Sequence, residues 1–182
     1  MSSSRHSALG SEWRIWDLHF HTPASFDYDD RGVSNSEIVE RLVTAGAQVV
    51  AITDHHVMDV DRIKELQELG GNRLTVLPGI EVRTELGGSN SVHLIGLFSE
   101  ECDVGRVWEI LRVEFKIPEL ITQLGNDAVY VDFEEFSKKV HEIGGLVSVH
   151  AGSKTNGIEE ISNHTEYKQA LKTGLAKRSV DI

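Results

Sequence analysis

Residues 48–56 read QVVAITDHH. The first six form a short apolar run of strand-forming residues, the composition of a strand buried on both faces. The run then breaks into Thr53-Asp54-His55-His56, where three of four side chains are ionisable. A buried strand that delivers such residues at its C-terminal end belongs in an α/β layer or barrel, where strand ends converge on one mouth.

Working outward, 13–20 is expected to form a strand. A helix follows over 34–47, opened by the capping pattern Ser34-x-x-Glu37, with Ile38 and Leu42 at helical spacing and Gly46 near its end. Beyond the central run, 61–69 reads as a helix closed by Gly70-Gly71, and 73–77 and 92–98 as strands. The stretch 103–115 is amphipathic, with Val104, Val107, Trp108 and Leu111 on one side. Residues 116–131 carry no readable pattern. A helix capped by Asp132 is expected over 132–143, then a buried strand over 146–149, a last helix over 158–173 and a new strand starting at 179–182. Strands alternating with helices imply parallel pairing. Residues 1–12 read as a flexible lead-in and 13–182 as one domain. A closed (β/α) barrel takes about 200 residues or more, so the domain is expected to be incomplete at its C-terminal end.

The chain has 182 residues and a formal net charge of -11, with 40% hydrophobic and 26% charged residues. That composition excludes a disordered protein. It also argues against a free-standing nucleic-acid binder, which relies on Lys and Arg at phosphates. It leaves a phosphoesterase open, because bound divalent ions invert the local field. Cys102 is the only cysteine, which rules out an intrachain disulfide and a thiolate metal cluster. The polar start lacks a signal-peptide core and no apolar run reaches membrane-spanning length. A cytoplasmic protein without a membrane partner is expected.

In Asp17-Leu18-His19-Phe20-His21 the strand period of two places Asp17, His19 and His21 on one face, and Leu18 and Phe20 on the other, toward the helices. Three ionisable groups on a buried face are costly unless compensated, and a metal ion is the simplest partner. Glu81 follows the strand at 73–77, His93 opens HLIGLF and His150 closes LVSVH. Trp13, Trp16 and Trp108 read as core residues. His6, His141 and His164 read as exposed. Asp17 and Asp54 read as ligands or as residues that orient ligands, and His56 as an orienting or substrate-facing residue. Arg31, Arg83 and Lys154 read as surface salt-bridge partners or as contacts for a substrate phosphate.

The set DLHFHT (17–22), AITDHH (51–56), PGIEV (78–82), SVHLIGLF (91–98) and GGLVSVHAG (144–152) resembles the PHP (polymerase and histidinol phosphatase) family, in that family's order from residue 13 onward. The resemblance implies a distorted (β/α)7 barrel with a di- or trinuclear metal centre at its mouth. It also implies hydrolysis of phosphate mono- or diesters. By position, His19 and His21 would bind one ion, and Glu81 would bridge it to a second completed by His93 and His150. Asp27 and His55 would hold a third. Glu81 and Asp54 are the catalytic candidates, and Arg83 and Lys154 the substrate-binding ones. Nitrogen and oxygen ligands without thiolate suit Zn²⁺, Mn²⁺ or Fe²⁺. The family's terminal Asp-x-His is absent after His150 and is expected beyond residue 182. The opening GSEWRIWDLHFHTPAS (10–25) further resembles PHP domains fused to SMC/ABC-type ATPases, which implies a fused or associated ATPase and a nucleic-acid substrate.

The expected activity is metal-dependent hydrolysis of phosphodiester bonds in nucleic acid. The alternatives are a small-molecule phosphomonoesterase of the histidinol-phosphate or nucleotide type, and a non-catalytic PHP scaffold. An amidohydrolase-type barrel also begins with His-x-His, but usually adds a metal-bridging lysine at a strand end. Here Lys64, Lys138 and Lys139 fall on expected helices.

Overall fold

The structure, a computed structural model, describes residues 14–85, 91–149 and 180–182. The expected lead-in at 1–12, the helix at 158–173, and Trp13, His150, Lys154 and His164 lie outside the described residues. The elements are β1 (Trp16–Phe20), α1 (Asn35–Thr44), β2 (Val49–Ile52), α2 (Val60–Gly70), β3 (Thr75–Arg83) and β4 (His93–Leu97), then α3 (Val104–Glu114), α4 (Ile117–Leu124), a 3-10 turn (Asn126–Ala128), α5 (Phe133–Glu142) and β5 (Leu146–Val149). The five strands form one curled sheet in the order β1-β2-β3-β4-β5. This is an α/β fold of the half-barrel kind.

Local chemistry places the helices. Ser34, Asp59, Asp103 and Asp132 each sit at an N-cap and accept the N–H three residues on, at Glu37, Arg62, Arg106 and Glu135. Helix α4 has no such cap. Lys116 enters it in the left-handed conformation and Pro118 lies in its first turn, which is why 116–131 gave no readable start. One continuous cluster, including Ile38, Ile63, Leu111, Phe136 and Val140, packs the helices against Val50, Ile52, Ile80 and Leu94 of the sheet. No helix among the described residues is long and apolar enough to cross a membrane.

Two expectations about strands are corrected. β3 does not stop at 77 but runs through Arg83, because it changes partners midway. Thr75–Pro78 pair parallel with β2, and Gly79–Arg83 pair antiparallel with β4. Pairing is therefore not parallel throughout, since β4 is antiparallel to both β3 and β5. Residues 84–92 are too short for a parallel crossover of about a dozen residues, so the chain must reverse. The second correction concerns β1. Trp16 and Asp17 pair with Val49 and Val50, but the next pair is Phe20 with Ile52, so an extra residue bulges between them. The bulge breaks the period of two. Phe20 packs on the helix side, whereas Leu18 packs on the other face with Ala51, Leu77, Ile95 and Leu97.

That second face is concave, and its apolar end is open. Trp16, expected in the core, is 57% exposed. It lines a cavity of about 270 Å³ with Leu18, Leu77, Leu97 and Leu146. Residues 180–182 lie along β5, where Asp181 and Ile182 N–H donate to the Val147 carbonyl (2.8 and 3.2 Å) and Val149 N–H donates to the Ile182 carbonyl (3.1 Å). His141 stands 2.7 Å from the Asp181 carboxylate.

Gly79 marks the change of partner. A Cβ there would stand 3.0 Å from the carbonyl oxygens of Ile52 and Gly96 and from Thr53 Cγ2, so backbone on both sides would have to move. Gly79→Ala should cost ~1–3 kcal/mol, the scale of overpacking a filled interior. Urea unfolding would show this as a lower midpoint with an unchanged slope.

Candidate metal centre

Four of the candidate ligands arrive at strand ends and one in mid-strand. β1 supplies His19 and, just past its end, His21. The segment after β2 supplies His55, which continues alongside β3 in a parallel bridge to Glu81. Glu81 lies within β3 rather than after it, and His93 is the first residue of β4. The reversal of β4 is what brings His93 to the same mouth, since an N-terminal end here meets the C-terminal ends of β1 and β2.

The Glu81 carboxylate, 1% exposed, is the hub. Its Oε2 stands 2.8 Å from His19 Nε2, 2.7 Å from His21 Nε2 and 3.4 Å from His55 Nε2, and its Oε1 stands 2.6 Å from His93 Nδ1. Asp27 Oδ2 lies 3.2 Å from His21 Nδ1 and 3.6 Å from His55 Nε2. Three overlapping sets of ligand atoms result: His19–His21–Glu81, His21–Asp27–His55 and His55–Glu81–His93, each with its atoms within 4.8 Å of one another. Such sets can hold divalent ions. Two further observations fit that use. His19 Nε2 and His21 Nε2 face each other at 3.0 Å, and the buried His55 Nδ1 has no hydrogen-bond partner among the described residues. The donors are all imidazole and carboxylate, which suits zinc-like and manganese-like ions alike.

Electrostatics differ around the ring of ligands. Burial alone would lower the His21 pKa, but the hydrogen bond and charge of Glu81, with Asp27 and Asp54 behind it, raise it overall. Burial pushes His55 down to about 4, and burial followed by the neighbouring His55 pushes His56 down to about 3. Both rings are therefore neutral at pH 7, the state a metal ligand needs. Burial opposes ionisation of Asp27, yet the Ser25 hydroxyl bond and the two histidines outweigh it and lower its pKa.

Asp54 joins none of these sets. Its Oδ1 accepts Thr22 N–H at 2.6 Å and its Oδ2 accepts the Thr22 hydroxyl at 2.7 Å. It ties the residue after His21 to the residue before His55, and burial raises its pKa to about 6 despite both bonds. Asp17 likewise stays outside, with Oδ1 accepting His19 N–H at 3.1 Å. His56 is fully buried at φ 59°, and neither ring nitrogen has a hydrogen-bond partner among the described residues. Arg83 donates to the carbonyl and carboxylate of Asp127 (2.9 and 3.2 Å) and lies over the Phe26 ring at 5.5 Å. Arg31 makes no salt bridge among the described residues. It donates to the carbonyls of Pro23 and Phe26, both at 2.7 Å.

Sequence reasoning missed Thr22, Ser25, Phe26 and Asp127. Apart from the Ser25–Asp27 bond, their partners lie about 30 or more positions away, or on the segment without a pattern, so no local spacing announces them.

No family model matches the chain, and no curated protein sequence matches it. Its fold is shared with solved structures. One is an amidohydrolase from Chromobacterium violaceum, solved with bound sulfate and no metal. It has a TM-score of 0.59 at 14% identity, over 92% of this chain and 75% of that one. Another, from Bifidobacterium adolescentis, carries a conjectural name as a metal-dependent phosphoesterase. It has a TM-score of 0.50 at 15% identity, over 93% of this chain and 85% of that one.

The Thr22–Asp54 clamp gives a direct test. Asp54→Ala removes two buried hydrogen bonds and should cost ~1–3 kcal/mol. Asp54→Asn keeps an acceptor for the N–H, and its amide can donate to the hydroxyl, so it should cost clearly less. Denaturant midpoints of the two variants would rank them.

Proposed function

We propose that this chain is a metal-dependent phosphoesterase that hydrolyses phosphodiester bonds, with nucleic acid as its substrate, at a di- or trinuclear centre. The observation that carries the reading is the buried Glu81 carboxylate with four imidazole nitrogens within 3.4 Å of its two oxygens. His19 and His21 would hold one ion. Glu81 would bridge to a second with His93, His55 and, on the family resemblance, His150. Asp27 would complete a third with His21 and His55. The ions' contribution is acidified water at neutral pH and neutralised charge on the phosphoryl oxygens. Sulfate in the Chromobacterium protein is a tetrahedral oxyanion, and it supports a phosphate-like ligand on this fold.

Arg83 shares a face of β3 with Glu81 and pairs in register with His93, so it stands where it could hold a non-bridging phosphate oxygen. Lys154 joins it on sequence alone. Asp54 takes a positioning role, since both its oxygens are committed to Thr22. An open cavity of about 440 Å³ beside His19, lined also by Ile95 and Ser148, gives a substrate room to approach. A fused or associated ATPase remains the proposed partner, on the resemblance of residues 10–25. The phosphomonoesterase and scaffold readings are the alternatives.

The name of the Chromobacterium protein favours one rival, amide hydrolysis. Lys64 lies on α2, and Lys138 and Lys139 on α5, so none of these three reaches the mouth from a strand end.

The test is hydrolysis of a bis-aryl phosphodiester, an aryl phosphomonoester, single-stranded DNA and RNA, and an aryl amide, each with Mn²⁺ or Zn²⁺ and with chelator. Metal-dependent cleavage of diester and nucleic acid is expected. Turnover of the monoester alone, or of the amide, would replace the reading. Bound metal without turnover, or no metal at all, would favour the scaffold. His19→Ala and Glu81→Ala should each lower kcat/KM more than about 10³-fold with the fold intact by circular dichroism. Arg83→Ala should raise KM about tenfold or more and leave metal content unchanged.

A further inference from the structure

The loop 21–27 carries two of the ligands, His21 and Asp27, and its buried hydroxyl at Ser25 has a place in neither the hydrolysis nor the core. Ser25 is fully buried. Its Oγ accepts the backbone N–H of His55 at 3.1 Å and donates to Asp27 Oδ1 in a short hydrogen bond. One hydroxyl thus joins two ligands of the set His21–Asp27–His55, which come from loops about 30 residues apart in sequence. Holding Oδ1 leaves Oδ2 as the oxygen turned toward His21 and His55. The sets also differ in exposure. The Asp27 side chain is 41% exposed, whereas Glu81, shared by the other two sets, is 1% exposed. An ion held through Asp27 is the one that meets solvent, so its retention depends most on how firmly that carboxylate is held.

We infer that Ser25 is a positioning residue that sets the affinity of the outermost metal position, His21–Asp27–His55, far more than that of the two positions built on Glu81, which it touches only through the His55 backbone. The inference rests on the metal-centre reading above. Residues that orient a metal-bound carboxylate typically govern affinity by about 10–100-fold when removed.

The test uses the whole chain, stripped with chelator and titrated with Mn²⁺ by calorimetry, with ion content measured after dialysis. Wild type is expected to take up three ions, one of them more weakly. Ser25→Ala should weaken that ion by about 10–100-fold and the others far less. In an Asp27→Asn background the same substitution should add nothing. Arg31→Ala is the control, because it frees the carbonyls of Pro23 and Phe26 on the same loop but touches no ligand. Equal loss of the third ion in Arg31→Ala would assign the effect to loop anchoring and overturn the inference. So would Ser25→Ala with unchanged affinities, or with all ions weakened alike. A wild type that binds only two ions would sink the inference and leave the metal reading standing. A wild type that binds none would remove that reading itself.

Discussion

A carboxylate with almost no exposure, placed among imidazoles, is the constraint on which the rest of this structure depends. An ionised group at Glu81 loses its hydration, and hydrogen bonds from the surrounding imidazoles return only part of that cost. Asp27 and the buried Asp54 concentrate more of the chain's formal charge of -11 at the same mouth. Divalent cations are the compensation that the donor set fits, and they would turn an electrostatic liability into the reason the mouth exists.

The backbone bends to serve that one group. β3 leaves β2 for β4 at Gly79, so Glu81 is held in mid-strand between two partners instead of hanging from a loop. β4 runs backwards, which brings its first residue, His93, to the same mouth. The bulge in β1 lets Leu18 fill the concave apolar end while His19 and His21 still reach the polar end. Each of these is an irregularity by the standards of an ideal parallel barrel, and each has a candidate ligand at its centre.

Much of this was legible from residues alone. His19, His21, Asp27, His55, Glu81 and His93 do come together, and the helices capped by Ser34 and Asp132 start where the capping pattern placed them. The reason is that ligand chemistry and helix caps are local. What escaped is non-local. The direction of β4 depends on the length of the connection before it, and the side on which Leu18 lies depends on register with β2. The hydroxyl ties of Thr22 and Ser25 depend on a loop from elsewhere in the chain. Trp16 was misread because an aromatic side chain near the start of an apolar strand looks like core, and only the open concave face explains its exposure. His150 and Lys154 lie outside the described residues, so their part in the centre rests on sequence.

The contact between Arg83 and Asp127 has a further consequence. A guanidinium left loose beside this mouth would be drawn to the carboxylates of Glu81 and Asp27. Asp127, whose side chain is 85% exposed, offers it a different anion in a place where water and salt weaken the bond. The chain therefore carries its own competing anion for the arginine, one that any stronger anion would displace. An exposed pair of this kind is worth no more than about fivefold in an equilibrium, so a substrate that reached Arg83 would lose little affinity to it.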